Sequence, residues 1–190
     1  MPADPLWYPT AAWSTLAAVW LIGAFFTKRT QKSSTQGSRF LELCMLVGGF
    51  SLLFKDRARF GILDARVIPA SGGFEWGGVA VTVMGIAFAI WARFYLGSNW
   101  SAIASVKQGH SLVRSGPYSI VRHPIYSGLT TAVLGTALVY GRLGCFLALP
   151  MIVVAWRKKS QIEEGFMREQ FGDEYRTYMQ EVKALIPFVW

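Results

Sequence analysis

Charge is scarce in this sequence. Only 16% of its 190 residues are Asp, Glu, Lys or Arg, against about 25% in a typical soluble domain. A water-soluble enzyme and a disordered tail are therefore poor fits. Cysteine is nearly missing: Cys44 and Cys145 are the two present, each inside an apolar stretch and without paired spacing. Histidine is as rare, with His110 and His123. A disulfide scaffold is excluded, no structural zinc site is supported, and no metal is expected. There is no internal repeat and no low-complexity linker. Lys and Arg outnumber acidic residues 19 to 11, a formal net charge of +8. The basic residues fall in short segments between apolar runs, a pattern that suits the cytoplasmic side of a membrane and anionic headgroups better than nucleic acid.

What the chain has in abundance is apolar and aromatic surface: 53% hydrophobic and 15% aromatic residues, as expected at a lipid–water boundary. The expected fold class is all-α, a polytopic integral membrane protein with five transmembrane helices. They are placed at about Leu6–Phe26, Phe40–Phe54, Phe74–Leu96, Pro124–Tyr140 and Leu143–Trp156. The first lacks the basic start and small-residue cleavage site of a secretory signal and is expected to be retained. The second is short, and Arg39 and Lys55 at its ends are placed to snorkel. Only Gly141-Arg142 separates the last two, so they are expected to form a tight antiparallel hairpin. Residues 1–73 read as an N-terminal two-helix portion with loops and residues 74–190 as a catalytic core. Thr30–Gly37 reads as a flexible loop, and Lys55–Gly73 as a segment lying on the headgroups.

Orientation follows from basic residues. With the N-terminus outside, fourteen of the 19 Lys and Arg fall on inner segments and five on outer ones, which favours N-out, C-in. After Trp156 the chain turns polar but keeps a helical pattern through Phe166, Phe171, Tyr175, Tyr178 and Val182, with a break expected at Phe171-Gly172. The apolar end, from Leu185, is expected to dock back on the protein or the interface.

Polar residues with catalytic potential gather in two segments on the inner side, Gly97–His123 and Arg157–Glu164. A hairpin of helices four and five brings the start of one beside the end of the other. Arg122, His123 and Tyr126 should then meet Glu163 and Glu164. Gly116-Pro117 enforces a turn, and the N-terminus of helix four offers unpaired N–H groups to a carboxylate or phosphate. Tyr118 and Tyr126 are candidates to stack on a purine or face a cation. Each piece also has a plain reading. His123 before a proline suits a helix cap, Glu163-Glu164 suits a solvated face pairing with Lys158 and Lys159, and the tyrosines suit an interfacial belt. Arg93 and Glu42 read as snorkelling residues, and Phe88, Trp91 and Phe94 as packing. Their joint order favours a site.

That order, His110-Ser-Leu-Val, Gly116-Pro-Tyr118, Arg122-His123-Pro124-Ile-Tyr126-Ser-Gly128, Glu163-Glu164, Phe171-Gly172, Glu174-Tyr175, Tyr178 and Pro187-Phe188, resembles the isoprenylcysteine carboxyl methyltransferase family over roughly residues 94–190. The short length looks like prokaryotic members, which implies a multi-pass protein of the cell membrane with its site on the cytoplasmic side. The resemblance implies a methyltransferase using S-adenosyl-L-methionine. It implies that His110, Ser111, Leu112, Val113, Tyr118, His123, Pro124, Ile125, Tyr126 and Glu163 hold the cofactor. A family arginine that contacts substrate corresponds here to Lys159, with Arg157 two residues earlier. The implied partners are a lipophilic methyl acceptor entering from the bilayer and membrane lipids.

Physical chemistry runs alongside. Methyl transfer is an in-line displacement at a sulfonium carbon, and a carboxylate acceptor is already ionised at pH 7. Alignment and removal of water then suffice, and alignment can supply roughly 7–11 kcal/mol. Arg157 or Lys159 would hold the acceptor carboxylate. An amine or thiol acceptor would need a base, with His123 or Glu164 as candidates. Two readings from other classes stand beside this one: an NADPH-dependent membrane reductase, which would be longer and need a basic phosphate pocket, and a non-enzymatic lipid-binding protein.

Overall fold

The computed structural model describes residues 4–27, 30–54, 61–100, 105–107 and 111–187. Helices dominate: α1 (Tyr8–Ala24), α2 (Gln36–Phe54), α3 (Gly72–Leu96), α4 (Pro124–Tyr140), α5 (Leu143–Phe171) and α6 (Asp173–Glu181). Short 3-10 turns lead into α1 and follow α3. Among the described residues, α2 and α3 are long and apolar enough to cross a membrane by length and composition. At 17 residues each, α1 and α4 are roughly 26 Å long at ~1.5 Å per residue.

Where Thr30–Gly37 was expected to be a flexible loop, the backbone forms a strand, β1 (Thr30–Ser33), paired antiparallel with β2 (Ser105–Lys107). The ribbon ties the α1–α2 connection to the α3–α4 connection and is an addition to the all-α expectation. Its polar segments carry no alternating apolar pattern, so nothing in them marks a strand.

The core forms where small residues let helices approach. On α3, Gly78, Thr82, Gly85 and Ala89 face Gly128, Ala132, Gly135 and Val139 of α4. A Cβ at Gly85 would lie 2.5 Å from the Gly128 carbonyl oxygen, and one at Gly135 would lie 2.4 Å from the Thr82 amide. Such contact between backbones needs glycine on both sides. Thr136 carries the polar load inside this interface, accepting a hydrogen bond from the Trp13 indole of α1 at 3.0 Å.

This packing qualifies the expected α4–α5 hairpin. The two helices are joined by Gly141 (φ 62°) and Arg142, and they touch. The chief partner of α4 is nevertheless α3, and that of α5 is α2. The described part of the segment expected to lie on headgroups docks onto this turn: Val67 N–H donates to Gly141 O at 2.8 Å, Leu143 N–H to Ala65 O at 3.0 Å, and Arg66 pairs with Glu75 at 2.9 Å.

Large hydrophobic side chains cover the outside of the long helices, among them Leu21, Ile22 and Phe25 of α1, Phe40, Leu43 and Val47 of α2, and Val83, Met84 and Phe94 of α3. An exposed apolar surface of this extent belongs in lipid. Trp91 and Phe94, read as packing residues, lie on this outer surface, where Trp91 packs edge-on against Phe88 with ring centroids 5.8 Å apart. Cys44 is exposed and Cys145 buried, and neither is in a disulfide.

Arg93 was expected to snorkel, but it is buried beneath α1. Its guanidinium donates to the Gly23 carbonyl at 2.8 Å and the Gly97 carbonyl at 2.9 Å, and stacks 4.3 Å from the Trp100 ring centroid. It thus pins the C-terminal ends of α1 and α3 together.

Candidate active site

The site is built at the N-terminus of α4. Proline at the first helical turn presets φ and needs no amide partner, so α4 starts cleanly after His123. The preceding turn (Gly116–Ser119) buries Pro117 and Tyr118. Opposite stands α5, which continues past its apolar part as one unbroken helix to Phe171, where Gly172 (φ 54°) ends it at the expected break. The extension carries Glu163 and Glu164 alongside the start of α4.

Glu164 is buried and ion-paired. One of its oxygens accepts from Arg122 Nη2 at 2.8 Å, Arg122 Nε at 3.2 Å and His123 Nε2 at 3.1 Å. Burial on its own would raise this carboxyl, but the hydrogen bonds and charges of His123 and Arg122 outweigh it and hold the pKa down at about 2. Burial likewise opposes protonation of His123. Its hydrogen bonds to Glu163 and Glu164 prevail and raise it above the ordinary histidine value. The imidazole lies between two carboxylates, with Nδ1 3.5 Å from Glu163 Oε2.

Glu163 is the more open of the pair. The Tyr126 hydroxyl donates to its Oε1 at 2.7 Å, and its side chain keeps 23% exposure against 7% for Glu164. The Tyr126 ring sits in a stack: His123 lies on one side with centroids 5.7 Å apart and Trp156 at 6.4 Å, both near parallel. These neighbours fix the ring, and its hydroxyl is committed to Glu163. Tyr118 is buried, and burial pushes its phenol up, out of the range in which it ionises.

A C-terminal strap closes the site. Arg122 N–H donates to Lys183 O at 2.8 Å, His123 N–H to Ala184 O at 2.9 Å, and the Ser127 hydroxyl to Leu185 O. The Arg122 guanidinium also holds the carbonyls of Met179 and Val182. From α6, the Tyr178 hydroxyl donates to the Tyr118 carbonyl, and Glu181 pairs with Arg114. Sequence reasoning expected docking by the apolar end. It missed Arg122 as the hub, since a lone arginine before a histidine gives no sign of carbonyl partners 60 residues away.

The expected convergence of Arg122, His123, Tyr126, Glu163 and Glu164 is therefore present. Pro124 and Ile125 are buried in the first turn of α4. Ser111, Leu112 and Val113 lead into the Tyr118 turn, and Val113 packs on the core. His110 lies outside the described residues. The two basic candidates have partners within the protein. Arg157 Nη1 donates to Ser160 Oγ on its own helix at 3.3 Å. Lys159 forms an ion pair at 3.0 Å with Glu42 of α2, which was expected to snorkel. Lys159 Nζ also stands 6.0 Å from the Tyr126 ring centroid. Among the described residues, no cluster of His, Cys, Asp and Glu is placed to hold a metal ion.

Fold and site together define a helical membrane protein with a polar, ion-paired centre at the junction of two of its helices and a C-terminal strap. Comparison narrows this. Residues 75–174, more than half of the chain, match the phospholipid methyltransferase family, and the chain belongs to that family. Among individual proteins, it is 29% identical over 117 residues to protein-S-isoprenylcysteine O-methyltransferase B of Arabidopsis thaliana (59% of this chain, 58% of that protein). It is 34% identical over 103 residues to the Schizosaccharomyces pombe protein-S-isoprenylcysteine O-methyltransferase (52% and 43%). It is 30% identical over 115 residues to the human one (59% and 40%). The chain thus spans between two fifths and three fifths of the length of these relatives. A solved structure of the eukaryotic intramembrane Ras methyltransferase, isoprenylcysteine carboxyl methyltransferase, shares the fold with a TM-score of 0.53 at 23% identity, covering 82% of this chain and 55% of that one. The resemblance noted in residues 94–190 is borne out.

Proposed function

We propose that this chain is an integral-membrane methyltransferase that uses S-adenosyl-L-methionine to O-methylate the α-carboxylate of a lipophilic, isoprenylcysteine-type acceptor. We place five membrane spans, N-out and C-in, with the site on the cytoplasmic side and the acceptor entering from the bilayer. The positive-side bias of the Lys and Arg residues supports this orientation. The observation that carries the reading is the Tyr126–Glu163 hydrogen bond beside His123, formed by residues that the family match covers.

The donor set fits the cofactor. Glu163 offers a partly exposed carboxylate to an ammonium, and the hydroxyl of Tyr126 lies beside it. When bound, S-adenosyl-L-methionine supplies a methyl group on a positively charged sulfur. Glu163, Tyr126 and His123 would hold it, with Ser111, Leu112, Val113, Tyr118, Pro124 and Ile125 forming the surrounding wall and His110 completing the motif. Arg157 and Lys159 would attend the acceptor.

The acceptor class follows from proton chemistry. Glu164, held at about 2 and hydrogen-bonded to Arg122 and His123, is too weak a base to deprotonate an amine or thiol. His123 is biased toward its protonated form by the two glutamates. A carboxylate arrives ionised and asks for neither. Glu164 accordingly positions Arg122 and His123 rather than taking a proton.

Calorimetric titration of S-adenosyl-L-methionine and S-adenosylhomocysteine into detergent-purified protein tests the reading. Micromolar binding is expected, weakened about ten- to a hundredfold by Glu163→Gln, in line with roughly 1.5–3 kcal/mol for a hydrogen bond to a charged group. Absence of binding by folded wild-type protein would overturn it.

A further inference from the structure

Outside the Tyr126 centre, the structure holds a cleft between α2 and α5. Its volume is about 360 Å³, and Leu41, Glu42, Ala155, Lys158, Lys159 and Ile162 are among its lining residues. It begins at the first turns of α2 and runs along the stretch of α5 where the apolar helix gives way to the polar extension. An amphiphile fits this lining, which sets Leu41, Ala155 and Ile162 beside the ionic groups of Glu42, Lys158 and Lys159. Lys159 belongs to the cleft and also stands over Tyr126, so it connects the cleft to the proposed methyl-transfer centre.

The ionic groups do not match a simple cationic pocket. Two ammonium groups, Lys158 and Lys159, line the cleft with one carboxylate, Glu42. Glu42 holds Lys159 at 3.0 Å, and the side chains of this pair are only 18% and 11% exposed. Lys158 is exposed at the rim. The lining charges of the cleft therefore sum to one positive charge. Glu42 lies in α2, outside the residues matched to the family, so its role is read from this structure alone.

We propose that Glu42 is a specificity-determining residue for the acceptor: by neutralising Lys159 it tunes the α2–α5 cleft to an amphiphile bearing one negative charge, and it repels one bearing two. The inference rests on the methyl-transfer reading above only in taking the cleft as the acceptor's seat. A first carboxylate is met by the surplus charge. A second would face the Glu42 carboxylate in a partly desolvated groove, where like charges repel more strongly than in water. Lys159 then acts as a positioned neighbour of the acceptor, held in its rotamer by Glu42.

The test is a charge series on one lipid tail, using full-length protein in detergent and no cofactor. N-acetyl-S-farnesylcysteine carries one carboxylate, its methyl ester none, and N-succinyl-S-farnesylcysteine two. Wild-type protein is expected to bind the first at least about tenfold more tightly than the other two, a difference of about 1.4 kcal/mol. Glu42→Gln should tighten binding of the two-carboxylate probe by about tenfold and change the one-carboxylate probe by less than about threefold, for the removal of a single like charge. Lys159→Met should abolish the preference for carboxylate over ester, while unchanged ester affinity certifies the fold of both variants. Equal binding of all three probes by wild type, or a Glu42→Gln protein that treats the two-carboxylate probe as wild type does, overturns the proposal. Titration of S-adenosyl-L-methionine into the same samples separates the two ideas. An intact charge order without cofactor binding sinks methyl transfer and keeps Glu42's role, and cofactor binding without a charge order does the reverse.

Discussion

Glu164→Gln isolates the energetic centre of the site. The substitution keeps the shape and one acceptor oxygen but removes the charge that Arg122 and His123 share at 2.8–3.2 Å. Lowering a carboxyl from 4.5 to about 2 corresponds to roughly 3 kcal/mol of folding stability at ~1.4 kcal/mol per pH unit. The side chain is 7% exposed, so solvent screening does little to reduce this. Because the folded value is the lower one, the contribution is complete above the unfolded carboxyl value and disappears as pH falls toward 2. Thermal unfolding in detergent at pH 7 should place the variant about 6–12 °C below wild type, at ~2–4 °C per kcal/mol for a chain of this size. The gap should close as both are acidified below about pH 4. Trypsin should also cut sooner at Lys183, since the arginine freed from Glu164 no longer fixes the strap whose carbonyls it holds. A variant within ~1 °C of wild type at pH 7, or a gap that survives acid, would refute the assignment.

Four further outcomes follow from the packing and the charges. Gly85→Ala should cost about 1–3 kcal/mol in the same unfolding assay, because the new Cβ meets backbone that cannot rotate away. Gly165→Ala on α5, where nothing lies within 4 Å, should be neutral or gain up to about 1 kcal/mol. His123 has a raised value in the folded protein, so its contribution is present below about pH 6.5 and is lost as pH climbs through that higher value. A thermal midpoint that falls on the alkaline side, and does so less in Glu163→Gln, is the expected result. Arg93→Lys should lower stability by about 2 kcal/mol, since lysine cannot reach two carbonyls in a fork and stack on Trp100 at once. Equal midpoints for the two proteins would show that the fork is dispensable.

Much of this molecule was legible because its signals are local. Long apolar runs gave the helices, and Pro124 and Gly172 marked where α4 begins and α5 ends. Two residues between α4 and α5 were enough to bring Tyr126 and His123 to Glu163 and Glu164. What stayed hidden depends on partners far along the chain. Gly78, Gly85, Gly128 and Gly135 read as ordinary members of apolar runs, so the dominance of the α3–α4 contact over the hairpin left no trace. Arg93 and Glu42 each looked like a charge at a helix end, and nothing nearby announces Gly23 or Lys159 as a partner. The β1–β2 ribbon joins two polar connections whose side chains carry no alternation.

The strap also has a meaning in time. Lys183, Ala184 and Leu185 provide the carbonyls that the Arg122, His123 and Ser127 donors require, yet they leave the ribosome after every helix they close. Chains fold as they are made, earlier parts first. The helices up to α4 can therefore enter the bilayer and pair while the Arg122–His123 donors are still unclaimed, and the strap reaches those donors only after residue 185 has left the ribosome. The junction at the start of α4 is thus the last part of the molecule to be set.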